Sequence, residues 1–127
     1  MTYSVLIVDD SKLARMAVAK VLNTLHPDWT RVEATNAEEA LALAKQSPPD
    51  IALVDFNMPG RDGLALAADF RALSPDMPVA VISANLQQEV VSHAGEVGAT
   101  FLPKPLTQDA LGSFLKSAAE RLKAAGK

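Results

Sequence analysis

Apolar and polar positions along the chain follow two alternating rhythms. Short apolar runs such as "SVLIV", "IALVD" and "MPVAVIS" are uninterrupted, whereas the stretches between them repeat their apolar residues every three or four positions. The first rhythm predicts strands and the second predicts helices. After "SVLIV", residues Leu13, Ala17, Val21 and Leu25 share one helix face at spacings of four, and His26, Pro27 and Asp28 end that helix. "TRVEA" predicts a second, weaker strand. Asn36, with Glu39 three residues later, forms a capping-box pattern that opens a helix with Ala37, Ala40, Leu41 and Ala44 inward, and Pro48 and Pro49 stop it. "IALVD" is the third strand, followed by a helix from Gly63 to Leu73 with Leu66, Phe70 and Leu73 inward. "MPVAVIS" follows the turn residues Ser74, Pro75 and Asp76. The next helix spaces Leu86, Val90, Ala94 and Val97 along one side and stops at Gly98. "TFLP" is the fifth strand, and Thr107 begins a last helix with Leu111, Leu115, Ala118 and Leu122 inward.

Strands alternating with helices predict an α/β fold, a doubly wound parallel sheet. Parallel strands need crossovers, and right-handed crossovers pack helices on both faces. Uninterrupted apolar strands agree, because a strand buried on both faces has no polar side to alternate with. The pattern shows no repeat, low-complexity segment or linker, so residues 1–127 are expected to form a single domain. A 49 % hydrophobic and 21 % charged composition is globular rather than disordered. The net charge of −3 gives no electrostatic footprint for nucleic acid or anionic membranes. Without cysteine there is no disulfide framework, thiolate metal site or cysteine nucleophile. "MTYSVLIVDD" lacks a basic flank, and its apolar run is too short for a signal peptide or membrane span, so a cytoplasmic location is expected.

In open parallel sheets, ligands bind beyond the carboxyl ends of the strands, where the strand order reverses. The first strand ends in Asp9 and Asp10, the third in Asp55, the fourth in Ser83 and the fifth in Lys104. If the first and third strands are neighbours, as in the order 2-1-3-4-5, three carboxylates converge beside a hydroxyl and an ammonium. Three like charges about 4 Å apart repel by a few kcal/mol per pair at an effective dielectric near 20, so the cluster calls for a cation. Oxygen donors suit Mg²⁺, which takes one or two carboxylates, keeps several waters and completes its shell with oxygens of a phosphorylated ligand. With Lys104 it would offset the carboxylates and accept an incoming phosphoryl group. Asp55 is then a candidate nucleophile, since carboxylates form aspartyl phosphates.

"VDD" after the first strand, "DFNMPGRDG" after the third, "SA" after the fourth and "KP" after the fifth, in this order, resemble the receiver domain of two-component response regulators, in its stand-alone, single-domain form. The likeness spans essentially the whole chain. It implies a flavodoxin-like (βα)5 fold with strand order 2-1-3-4-5. It implies Asp55 as phosphoryl acceptor, Asp9 and Asp10 as the acidic pair that holds Mg²⁺, and Asn57 as donor of a backbone carbonyl to the metal. Ser83 fills the hydroxyl position that turns toward the phosphoryl group, and Lys104 that of the lysine contacting it. Pro105 follows through a bond commonly cis in the family, and Phe101 occupies the aromatic switch position. A phenylalanine there has no hydroxyl to anchor outside, so its switching is expected to be less two-state than a tyrosine's. Asn57 and Asn85 occupy positions that tune hydrolysis.

The resemblance implies a histidine kinase or histidine phosphotransfer protein as donor. It further implies that the domain catalyses its own phosphorylation and dephosphorylation, without other enzymatic activity. Phosphorylation would alter the surface of the fourth helix, fifth strand and fifth helix, read by a protein partner or used in a phosphorelay, with a monomer or phosphorylation-dependent dimer as the assembly. No output domain is expected after the last helix. A constitutive pseudo-receiver would share the fold but typically loses the acceptor or an acidic partner. An aspartate-nucleophile phosphatase of the haloacid dehalogenase type would place its nucleophile after the first strand in a D-x-D motif.

Singly, these residues have ordinary explanations. Asp10 or Ser11 would cap the first helix, Asp55 would be a solvated strand end, Lys104 a surface ion pair and Ser83 a turn residue. The coincidence at four strand ends favours the joint reading. His26 and His93 lack metal-ligand spacing. Tyr3, Trp29 and the methionines are expected to pack in or border the core, and Lys116, Arg121 and Lys123 to form a solvated face on the last helix.

Overall fold

The computed structural model describes residues 2–58, 62–84 and 88–127. Asn85 and Leu86 lie outside the described residues, as does the side chain of Val90. The elements run β1 (Ser4–Val8), α1 (Lys12–Leu25), β2 (Thr30–Ala34), α2 (Ala37–Gln46), β3 (Ile51–Asp55), α3 (Gly63–Leu73), β4 (Val79–Ser83), α4 (Gln88–Glu96), β5 (Thr100–Pro103) and α5 (Gln108–Ala124). The strands pair in parallel in the order β2-β1-β3-β4-β5. The predicted doubly wound, flavodoxin-like architecture and its strand order are therefore present.

The two-residue period of the strands divides the interior in two. Val5 and Ile7 of β1 pack with Ile51, Leu53, Ala80 and Ile82 against α1 and α5, where Val18, Leu22, Leu111, Leu115 and Leu122 meet them. The alternate residues, Leu6, Val8, Ala52, Val54, Val79 and Val81, face α2 and α3, where Ala40, Ala44, Leu66 and Phe70 close the second layer. All residues of β3 and β4 are buried, which explains their unbroken apolar runs. At the sheet's edge, β2 is exposed except for Ala34.

Side-chain caps begin α1, α2, α3 and α5. Ser11, Asn36, Asp62 and Thr107 accept hydrogen bonds from the backbone N–H groups of Ala14, Glu39, Ala65 and Ala110. Glu39 answers Asn36 one residue earlier than a standard capping box, since its carboxylate accepts from Thr35 N–H at 3.1 Å.

Two predicted helix faces need correction. In α1 the buried stripe is Val18, Ala19 and Leu22, flanked by Val21 and Leu25, whereas Leu13 is 80 % exposed and Met16 54 % exposed. The first turn starts at the carboxyl edge of the sheet, so its apolar side chains have no strand to cover. Leu73, the last residue of α3, is half exposed because the chain turns away at Ser74, and Leu66, Ala67 and Phe70 form the inner face. The expected faces of α2 and α5 are present, with Leu41 only partly buried. Of the aromatics at the opposite end, Tyr3 packs edge-on to Trp29, on which His26 stacks at 3.7 Å between ring centroids. No helix among the described residues is long and apolar enough to cross a membrane.

Candidate functional site

Strand register assembles the acidic cluster. Val8 pairs with Val54, so the next residues, Asp9 and Asp55, leave the sheet side by side. Asp10 follows at the start of the loop into α1. One carboxylate oxygen from each of Asp9, Asp10 and Asp55 lies within 4.8 Å of the others. Asp55 is 3 % exposed and Asp9 8 %, whereas Asp10 faces solvent. A cluster this close, two of its members shielded from water, is costly unless cations reach it.

One cation is part of the protein. Lys104 Nζ donates to Asp55 Oδ1 at 2.6 Å. Its backbone is held too, because Lys104 N–H donates to the carbonyl of Ser83 at 3.0 Å, just past the β4–β5 ladder in which Ser83 pairs with Pro103. Ser83 is fully buried at the end of β4, beside Ile82, which pairs with Asp55. The Lys104–Pro105 peptide is cis, as the resemblance implied. Phe101, half-buried on β5 opposite Val81, sits two strands from Asp55, and Asn57 is exposed in the loop after β3.

The buried position of Asp9 makes its carboxyl less acidic. Burial raises its pKa above the ordinary 3.8, and the charges of Asp55 and Asp10 push the same way. A hydrogen bond from Ser11 N–H to Asp9 Oδ1 at 2.9 Å and the charge of Lys104 act oppositely without cancelling the rise. Ionised Asp9 therefore weakens the metal-free fold. Asp9→Asn keeps an acceptor for Ser11 and is expected to stabilise the metal-free protein at neutral pH, raising its Tm. The gain should close as pH falls through the raised pKa of Asp9 and vanish below the ordinary 3.8, where the wild-type carboxyl is protonated in both states. Thermal melts in EDTA across that pH range measure it.

The donor set fits a hard divalent ion. Mg²⁺ holds oxygens at about 2.1 Å, so opposite ligands stand about 4.2 Å apart. The 4.8 Å spread exceeds that by an amount that a small side-chain rotation or one water-mediated ligand removes. Three carboxylates suit hard cations such as Mg²⁺ rather than softer metals.

Three contributors to this site went unnoticed in the sequence. Arg15 Nη1 donates to the backbone carbonyl of Asp9 at 2.7 Å, and Arg15 Nε donates to Glu33 Oε1 at 3.1 Å. Glu33 is adjacent because Ile7 pairs with it, a signal readable only once the β1–β2 register is known. Gly63 is the third. A Cβ there would lie 2.6 Å from the carbonyl oxygen of Asp55 and 2.8 Å from Cα of Phe56, so only glycine lets α3 start against the end of β3.

Comparison with known proteins gives a consistent picture. The family model described as "Response regulator receiver domain" matches residues 5–116. The positive alginate biosynthesis regulatory protein of Pseudomonas aeruginosa is 42 % identical over 119 residues, covering 91 % of this chain and 46 % of its own length. The nitrate/nitrite response regulator protein NarL of Escherichia coli is 36 % identical over 118 residues, covering 91 % of this chain and 54 % of its own. The chain thus spans about half the length of these curated relatives. Among solved structures, the chemotaxis protein CheY4 of Vibrio cholerae superposes with a TM-score of 0.83 at 28 % identity, covering 93 % of this chain and 99 % of that one.

Proposed function

The chain belongs to the response regulator receiver domain family, and on that premise we propose that it is a phosphorylation-controlled switch with Asp55 as the phosphoryl acceptor. The observation that carries the reading is the buried Asp55 carboxylate, paired with Lys104 and flanked by Asp9 and Asp10. The donor is a phosphohistidine on a kinase or phosphotransfer protein. An Asp55 carboxylate oxygen forms the new P–O bond as the donor's P–N bond breaks, and the departing imidazole takes a proton from solvent. Asp9, Asp10, Asp55 and the backbone carbonyl of Asn57 would hold Mg²⁺. When bound, the ion supplies positive charge for the phosphoryl oxygens. Lys104 serves the same charge from the other side, and Ser83 supplies a hydroxyl at the neighbouring strand end.

Lys104 and Ser83 are tied by a backbone hydrogen bond, so a new charge on Asp55 that draws both inward would pull on β5 and change the position of Phe101. The surface of α4, β5 and α5 is the face that a protein partner would read, and Val91 on α4 is 41 % exposed there. The output of this domain is a protein contact or phosphoryl relay in the cytoplasm, as a monomer or a phosphorylation-dependent dimer, with no direct contact of this domain to nucleic acid. The relatives include a protein named as a DNA-binding transcriptional regulator, and that activity is ascribed to it alone. Asp9, Asp10 and Asp55 all persist, which disfavours a pseudo-receiver. The pairing of Lys104 with Asp55 rather than with Asp9 disfavours a phosphatase whose nucleophile follows the first strand.

Exposed Leu13 and Met16 stand in the first turns of α1, beside the acidic cluster, and suit docking of the donor. The test compares two donors. Wild type should be labelled on Asp55 by a phosphorylated histidine kinase and by acetyl phosphate. Leu13→Asp combined with Met16→Asp should slow transfer from the kinase about tenfold or more, the loss of one or two apolar anchors, and leave labelling by acetyl phosphate nearly unchanged. Equal slowing with both donors would remove α1 from the docking surface. Absence of label from any donor would refute the acceptor role.

A further inference from the structure

The three carboxylates are not held alike. Asp9 receives the N–H of Ser11, and Asp55 receives the ammonium of Lys104. No described residue donates a hydrogen bond to the Asp10 carboxylate, and Asp10 faces solvent. The direction of its Cα–Cβ bond is therefore set by its backbone alone. The peptide joining Asp9 to Asp10 is planar, so the Asp9 carbonyl and the Asp10 N–H turn together. That carbonyl receives Arg15 Nη1 at 2.7 Å, and Glu33 holds the guanidinium through Nε at 3.1 Å. The Arg15 side chain is 12 % exposed, so the guanidinium is packed against the Asp9 carbonyl although its Glu33 partner, 40 % exposed, meets solvent.

We propose that Arg15 is a positioning residue for the metal site: bridging the Asp9 carbonyl and Glu33, it fixes the Asp9–Asp10 peptide and thereby aims Asp10 into the acidic cluster. Glu33, on the edge strand β2, acts through Arg15 by holding its guanidinium in register. This rests on the acidic cluster being a Mg²⁺ site. Partners that orient metal ligands without touching the metal typically govern affinity by 10–100-fold.

The sign of the effect separates positioning from charge. Arg15 is a cation near three carboxylates, so through charge alone it would compete with Mg²⁺, and its removal would tighten binding. Through positioning, removal weakens binding. The experiment is calorimetric titration of the full chain with Mg²⁺, alongside thermal melts without metal. The variants are Arg15→Gln, Arg15→Lys, Glu33→Gln and the double variant Arg15→Gln with Glu33→Gln. Arg15→Gln is expected to raise the Kd for Mg²⁺ about tenfold. Glu33→Gln should raise it less, and the double variant no more than Arg15→Gln alone. Arg15→Lys, which keeps the charge but cannot span both partners, should fall between wild type and Arg15→Gln. Leu122→Ala is the control, buried at the opposite end beside Pro48, Pro49 and Lys127. It should lower the Tm with an unchanged Kd.

Unchanged or tighter binding in Arg15→Gln would overturn the proposal while leaving the metal site intact. Failure of the wild type to bind Mg²⁺ would instead overturn the site on which it rests. If Arg15→Gln does not fold, Glu33→Gln and Arg15→Lys decide: weaker binding in both supports the proposal, and unchanged binding in either refutes it.

Discussion

Replacing Gly63 by alanine is expected to cost about 3 kcal/mol, the upper end of the range for overpacking, and to lower the Tm by roughly 10 °C. The added methyl would meet backbone rather than a movable side chain, at 2.6 Å from the Asp55 carbonyl and 2.8 Å from Cα of Phe56. Neither atom can yield without displacing the strand end. Phe56 is fixed by its N–H to the Ile82 carbonyl at 2.9 Å, and its own carbonyl receives Gly63 N–H at 3.0 Å. Relief of the clash must therefore move Asp55 relative to Asp9, and Mg²⁺ affinity should fall along with stability. Gly95 in α4 supplies the contrast, because a Cβ there meets nothing within 4 Å. Gly95→Ala should be neutral or stabilising by up to about 1 kcal/mol. Denaturant melts of the two variants, with Mg²⁺ titrations, measure both effects.

Lys104→Ala should separate stability, metal affinity and transfer. Asp55 has 4 % of its side chain exposed and loses its 2.6 Å partner, leaving a buried carboxylate among like charges. Breaking a buried pair costs roughly 3–5 kcal/mol. Because 34 % of the Lys104 side chain is exposed, the expectation here is lower, about 2 kcal/mol in EDTA. Millimolar Mg²⁺ should restore much of it by supplying the missing charge. Metal binding should tighten, because a competing cation is gone, while phosphorylation by a small-molecule donor slows about 100-fold for want of charge on the transferring group. Denaturation in EDTA and in Mg²⁺, followed by stopped-flow phosphorylation, checks all three. Unimpaired transfer would show that Lys104 merely pairs with Asp55.

Much of this was legible in the sequence because burial on both faces leaves an unmistakable trace. β3 and β4 are wholly buried, so "IALVD" and "VAVIS" are apolar throughout, up to the polar residue that leaves the sheet for the site. The placement rule for open parallel sheets then selected Asp9, Asp10, Asp55, Ser83 and Lys104, and register brings four of these strand ends together. Periodicity failed at the ends of helices. Leu13 and Leu73 continue an apolar stripe in sequence but extend beyond the strands that would bury them. Arg15, Glu33 and Gly63 left no local signal. A cation in a helix and an acid in an edge strand look like solvated charges, and their connection exists only through the pairing of β1 with β2. Gly63 resembles any glycine opening a helix, and its necessity appears only where the helix start meets the backbone of Asp55.

The most direct test of Asp55 as acceptor is intact-protein mass after incubation with acetyl phosphate or phosphoramidate, with and without Mg²⁺, for wild type and Asp55→Asn. A single phosphoryl adduct that requires Mg²⁺ and is lost in Asp55→Asn is the predicted result. An adduct that persists in Asp55→Asn but disappears in Asp9→Asn would place the nucleophile on the first strand and contradict the account.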